Sequence, residues 1–182
     1  MKKRTWLFCG LVLALGLICV GVTYALLTSK SRPVVNTFVA GDIELRLTES
    51  TGSRYPLVPG TEVSKDPRIT VASGSEECWL FVRITRDSEL DGIVDYTVAD
   101  GWTAVGGEES VFWRKVDATE GEKTYGVLKH DRFTVSDEVT EADLLSLGSE
   151  PKLRFCAFAV QQEGISTPEA AWEKAKSMED EG

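Results

Sequence analysis

The chain has 182 residues, enough for one ordinary domain and a short appendage. With 42% hydrophobic and 27% charged residues it is globular rather than disordered in composition. Its 29 acidic and 20 basic residues give a formal net charge of −9, which argues against a nucleic-acid partner, and a single histidine argues against multi-histidine metal or catalytic sites.

The charge is unevenly spread. Lys2, Lys3 and Arg4 are the only charged residues in the first 25. The rest of the chain therefore carries 17 basic against 29 acidic residues, a net charge of −12. An uncharged run follows from Thr5 to Ser29, with its apolar heart at Leu11–Val22. Thr23-Tyr24-Ala25 places a small residue before a cleavage point, so residues 1–25 read as a secretory signal peptide cut after Ala25. The alternative is an uncleaved anchor, since Trp6 to Leu27 reaches the roughly 20 apolar residues needed to span a bilayer. The positive end stays in the cytoplasm in both cases and the acidic part is exported. The membrane is then touched only by the N-terminal segment.

Residues 26–34 form an extension before the first patterned strand. From Val35 to Leu47, odd positions are mainly apolar, and from Asp42 onward the even positions are polar, which predicts a half-buried strand. Gly41 within it predicts a bulge or bend. Arg68–Ala72 is a short strand closed by Ser73-Gly74-Ser75. Cys78–Thr85 carries the clearest pattern: Cys78, Leu80, Val82 and Ile84 form an apolar face, and Trp79, Phe81, Arg83 and Thr85 a mixed one. Ile93–Val98, Val111–Val116, Tyr125–Leu128, Arg132–Val135 and Leu153–Gln161 complete about eight strands, separated by turn-rich pieces. This spacing predicts a mainly β, two-sheet, jelly-roll-like sandwich over residues 35–182. Thr140–Leu147 predicts a helical turn. Thr167-Pro168-Glu169 is a helix start, predicting a short C-terminal helix over residues 168–178 with Ala171, Ala175 and Met178 on one side.

Removal of the leader leaves two cysteines, Cys78 and Cys156. Export makes a disulfide between them chemically accessible, and two buried free thiols are the alternative. Two thiols and one distant histidine do not make a zinc-ligand pattern.

Several stretches resemble the TasA/camelysin family of exported Gram-positive proteins. They are the leader ending at Thr23-Tyr24-Ala25, Val35-Asn36-Thr37-Phe38-Val39-Ala40-Gly41-Asp42-Ile43, Tyr55-Pro56-Leu57-Val58-Pro59-Gly60 and Lys65-Asp66-Pro67. Phe155-Cys156-Ala157-Phe158-Ala159-Val160-Gln161 and Ala170-Ala171-Trp172 extend the likeness over most of the chain. The family commonly has an aromatic residue just beyond the cut, where this chain has Leu26 and Leu27. The resemblance implies processing by the signal peptidase SipW, a jelly-roll-like sandwich, and a surface or biofilm-matrix role in which subunits assemble into fibres. It further implies that an N-terminal segment of one copy supplies a strand to its neighbour. Leu26, Leu27, Val34 and Val35 are the residues that would fill the neighbour's pockets. The alternative for this region is a linker followed by an ordinary intramolecular strand. Self-association and other cell-surface or matrix proteins are the expected partners.

Chemistry is sparse in the pattern. Camelysin-type members are described as metalloproteases, but a zincin needs two histidines one helical turn apart, and His130 stands alone in Leu128-Lys129-His130-Asp131-Arg132. It reads as an exposed loop histidine. The groups Asp87, Glu89, Asp91, Asp95 and Asp137, Glu138, Glu141, Asp143 lack EF-hand spacing and read as solvated loop charge. No catalytic residue, metal site or cofactor is implied. Trp79, Trp102 and Trp113, with Phe81, Phe112 and Tyr96, leave open either a sugar- or protein-binding face of an adhesin or cross-strand packing.

Overall fold

The computed structural model describes residues 36–52, 55–118, 120–147 and 151–180, all within one unit, Pro33–Gly182. The cleavage residues Thr23, Tyr24 and Ala25 and the donor candidates Leu26, Leu27, Val34 and Val35 lie outside the described residues. The fold is mainly β, with several sheets and one C-terminal helix. No helix among the described residues is long and apolar enough to cross a membrane.

The largest sheet centres on β5 (Cys78–Arg86). It is flanked on one side by β11 (Leu153–Gln161) and then β1 (Asn36–Ala40), and on the other by β8 (Val111–Val116) and then β7 (Thr103–Ala104). A second sheet has the order β2 (Leu45–Thr48), β4 (Arg68–Val71), β9 (Lys123–Gly126). A third joins β3 (Glu62–Ser64), β10 (Arg132–Val135) and β6 (Val94–Asp95).

The alternation of β5 fixes its two environments. Cys78, Leu80, Val82 and Ile84 point into the main core, where they meet Leu45 and Leu47 of β2 and Ile69 and Val71 of β4. This is the packing of one sheet upon another. Trp79 and Phe81 point the other way, onto Ala171, Trp172 and Ala175 of the C-terminal helix α2 (Pro168–Asp180). That helix starts at Pro168 as expected and runs two residues past the expected end. A smaller cluster of Leu90, Val94, Phe133 and Val135 sits under the third sheet. The expected helical turn is α1 (Glu141–Ser146), closed by a reciprocal cap in which Thr140 Oγ1 accepts from the Asp143 amide and the Asp143 carboxylate accepts from the Thr140 amide.

The strand expected over Val35–Leu47 is two strands in two sheets. β1 joins the five-stranded sheet and β2 the second sheet, and the chain turns between them at Gly41. Gly41 has φ +114°, and a Cβ there would lie 2.8 Å from Gln161 Oε1. Only glycine permits that close crossing.

Candidate functional site

β1 forms one edge of the five-stranded sheet. It runs parallel to β11, with Asn36 opposite Cys156 and Ala40 opposite Val160, whereas every other paired strand among the described residues is antiparallel. Its opposite edge pairs with no described strand. Phe38 anchors it by stacking on Phe158 at 5.0 Å and 15°. Phe158 in turn meets Trp172 of α2 edge-on at 5.1 Å. Val39 is 36% exposed, so this edge strand leaves an apolar side chain partly in solvent.

Polar side chains hold α2 over this end of the sheet. Arg83 of β5 grips Glu179 with both terminal nitrogens, one of them at 2.7 Å. The hydrogen bond from Arg83 holds the Glu179 carboxyl below its ordinary range, and the same contact raises the guanidinium. Glu108 accepts from Trp172 Nε1 at 3.1 Å and from Lys176 Nζ at 3.0 Å, and these two donors, Lys176 first, lower its carboxyl.

A buried polar group lies elsewhere, at the end of β2. Lys65 is 5% exposed and its ammonium lies 2.5 Å from Glu49 Oε1. The Tyr55 hydroxyl donates to Glu49 and accepts from Lys65 at 3.3 Å. Burial, then the bond to Glu49, pushes the Tyr55 phenol well above its ordinary value. Next to them Asp66 accepts from the Ser50 amide at 2.9 Å, the Ser50 hydroxyl at 2.6 Å and the Thr51 amide at 3.0 Å. Burial works to raise the Asp66 carboxyl, but these bonds outweigh it and bring it to about 2.

Arg114 of β8 is a third feature. Its cross-strand neighbour is Leu80, so it lies on the face of β8 that looks into the sandwich. Its guanidinium carbon lies 3.9 Å from the Tyr125 ring centre and 5.4 Å from that of Trp102. Its Nε is buried without a hydrogen-bond partner. Burial lowers the guanidinium from its ordinary value.

The disulfide reading of Cys78 and Cys156 is corrected: both are free thiols. Cys156 pairs with Arg83, five positions along β5 from Cys78, a separation of roughly 17 Å at about 3.4 Å per residue. The two also face opposite ways, Cys78 into the main core and Cys156 toward α2. No such pair closes without dismantling the sheet. His130 is exposed, in a left-handed conformation with φ +58°. Among the described residues no group of three or more His, Cys, Asp or Glu is arranged to hold a metal. Several acids of the two loop groups have structural partners: Asp87 accepts from Arg154 and the Lys152 amide, Asp91 from Arg86, and Asp143 caps α1. Of the aromatics, Trp79 and Phe81 are buried under α2, and Trp102, Phe112 and Tyr96 pack on the main core.

Sequence reasoning passed over Lys65 and Arg114, yet the signal was present. The alternation that turns Val63 inward also turns Lys65 inward, and Phe112 and Val116 place Arg114 on an otherwise apolar face. A charge at an inward position is the mark of a paired or functional group. Comparisons of the chain with protein-family models, with curated proteins and with solved structures find no match.

Proposed function

We propose that the chain is a non-enzymatic, exported cell-surface or biofilm-matrix structural protein, a fibre subunit whose N-terminal segment passes from one copy to the next. The observation that carries this reading is the place of β1. It is the first described strand, it sits at a sheet edge, and it pairs with β11 alone. The residues that precede it in sequence, 26–35, include the apolar donor candidates Leu26, Leu27, Val34 and Val35. A strand held along one edge and hinged at Gly41 can be supplied by a neighbour with the same backbone hydrogen bonds and the same seat for Phe38 on Phe158. Head-to-tail exchange of this kind does not close on itself, so it builds filaments. Removal of the leader would free the segment from the membrane and start assembly. Other surface or matrix proteins with a free strand would join by the same pairing.

The test compares protein beginning at Leu26 with protein beginning at Asp42, by gel filtration and negative-stain microscopy. Filaments are expected from the first and none from the second. If the first stays monomeric at high concentration, the reading fails.

A further inference from the structure

Seven arginines lie among the described residues, and six of them hold a carboxylate. Arg68 meets Asp131 at 2.6 Å, Arg86 meets Asp91 at 2.8 Å and Arg154 meets Asp87 at 2.7 Å, while Arg46, Arg83 and Arg132 hold Glu122, Glu179 and Glu62. Arg114 has no such partner among the described residues, although its face of β8 looks into the sandwich. A half-buried cation without a counter-ion is costly in a domain where acids are in excess. Its surroundings instead suit a planar guanidinium. Tyr125 and Trp102 pack against it, and Gly101 lets a turn lie close, since a Cβ there would stand 3.1 Å from Arg114 Nη2. Trp102 is itself fixed, donating from Nε1 to the Gly126 carbonyl at 2.9 Å.

We propose that Arg114, with Trp102 and Tyr125 beside it, forms a binding site for a small organic carboxylate such as a uronic acid. A carboxylate matches the guanidinium fork with two parallel hydrogen bonds, and the flanking rings offer a surface to the carbon frame that carries it. The domain as a whole is strongly acidic, so a phosphate dianion is repelled more than a single carboxylate. Arg114 and Tyr125 lie on β8 and β9 and Trp102 just before β7, away from the β1 edge, and the site does not depend on fibre assembly.

The experiment is equilibrium dialysis of the full chain against radiolabelled glucuronate, at constant ionic strength. One saturable equivalent per chain is expected. Unlabelled acetate should compete more weakly than unlabelled glucuronate, and chloride not at all. Arg114→Lys keeps the charge but not the fork and should weaken binding at least about tenfold; Arg114→Gln should abolish it. Near-UV circular dichroism establishes that each variant is folded. Absence of saturable uptake by the unaltered chain overturns the site, as does a folded Arg114→Gln chain that binds equally well. Uptake that disappears as the chain self-associates, with no competition by acetate, assigns the counter-ion to an acid of a second copy and also overturns it.

Discussion

Lys65 Nζ lies 2.5 Å from Glu49 Oε1, and the two side chains are only 6% and 8% exposed. The ammonium also sits over the rings of Tyr55, at 4.7 Å, and Phe155, at 5.4 Å. In so dry a place the mutual attraction of the pair mainly offsets its lost hydration. Lys65→Met leaves Glu49 charged and without its counter-ion, and should cost about 3–5 kcal/mol in urea unfolding. Replacing both residues, Lys65→Met with Glu49→Leu, should cost less than Lys65→Met by itself. A double replacement as costly as the sum of the single ones would mean that the two do not act as a unit.

Asp66 extends this cluster into a pH dependence. Its carboxyl lies at about 2 in the folded chain against an ordinary 3.8. A lowered folded pKa contributes stability that is full above 3.8 and is lost as pH falls through about 2. Asp66→Asn should therefore destabilise the domain by on the order of 1–2 kcal/mol at neutral pH. The gap between the two proteins should narrow from pH 4 downward and close near pH 2. Urea midpoints measured across that range check this, and a constant gap would show that ionisation of Asp66 is irrelevant to stability.

The chain's alternation made much of this fold legible, because burial of one strand face leaves a period-2 mark. The two faces of β5 and the start of α2 at Pro168 could be read in that way. The change of sheet at Gly41 was legible only as a bend, since alternation says which side is buried but not which sheet buries it. The pairing of β1 with β11 was not legible at all, because Asn36 and Cys156 are far apart in sequence and nothing local encodes a parallel register. Lys65 and Arg114 were hidden for another reason. Their inward direction was in the pattern, but whether a partner waits there depends on a different strand.

Gly41 gives a direct test of the strand crossing. Alanine there would have to adopt φ near +114° and place its Cβ 2.8 Å from Gln161 Oε1 and 2.9 Å from Gln161 Cβ. Backbone strain of that kind costs about 1–3 kcal/mol before any clash is relieved. Gly41→Ala should lower the unfolding midpoint accordingly, whereas Gly74→Ala, also at positive φ but with nothing within 4 Å, should cost less. Equal losses would mean that the approach to Gln161 contributes nothing.

The thiols differ enough to be told apart chemically. Cys78 is fully buried, and burial pushes its thiol up to about 12. Cys156 is only partly buried and lies beside Arg83. Native protein lacking its leader should react with a disulfide reagent at Cys156 first, and at Cys78 only on unfolding. Two equivalent thiols released only by a reductant would reveal a disulfide, contrary to the opposed faces of the two residues.

Charge sets the salt dependence of assembly. Without the leader the chain carries 17 basic and 29 acidic residues, a net charge of −12, so copies repel one another at long range. Strand exchange must bring two such domains together, and what it gains is short-ranged: backbone pairing along β11 and the seat of Phe38 on Phe158. Screening shortens the reach of repulsion to about 8 Å at physiological ionic strength and leaves apolar docking intact. Raising salt from about 10 mM to 150 mM should therefore shorten the lag before filaments appear in light scattering. Phe38→Ala should lengthen it at every salt concentration. Slower assembly in salt would point instead to attraction between opposite charges at the junction, and would count against apolar strand donation as its driving force.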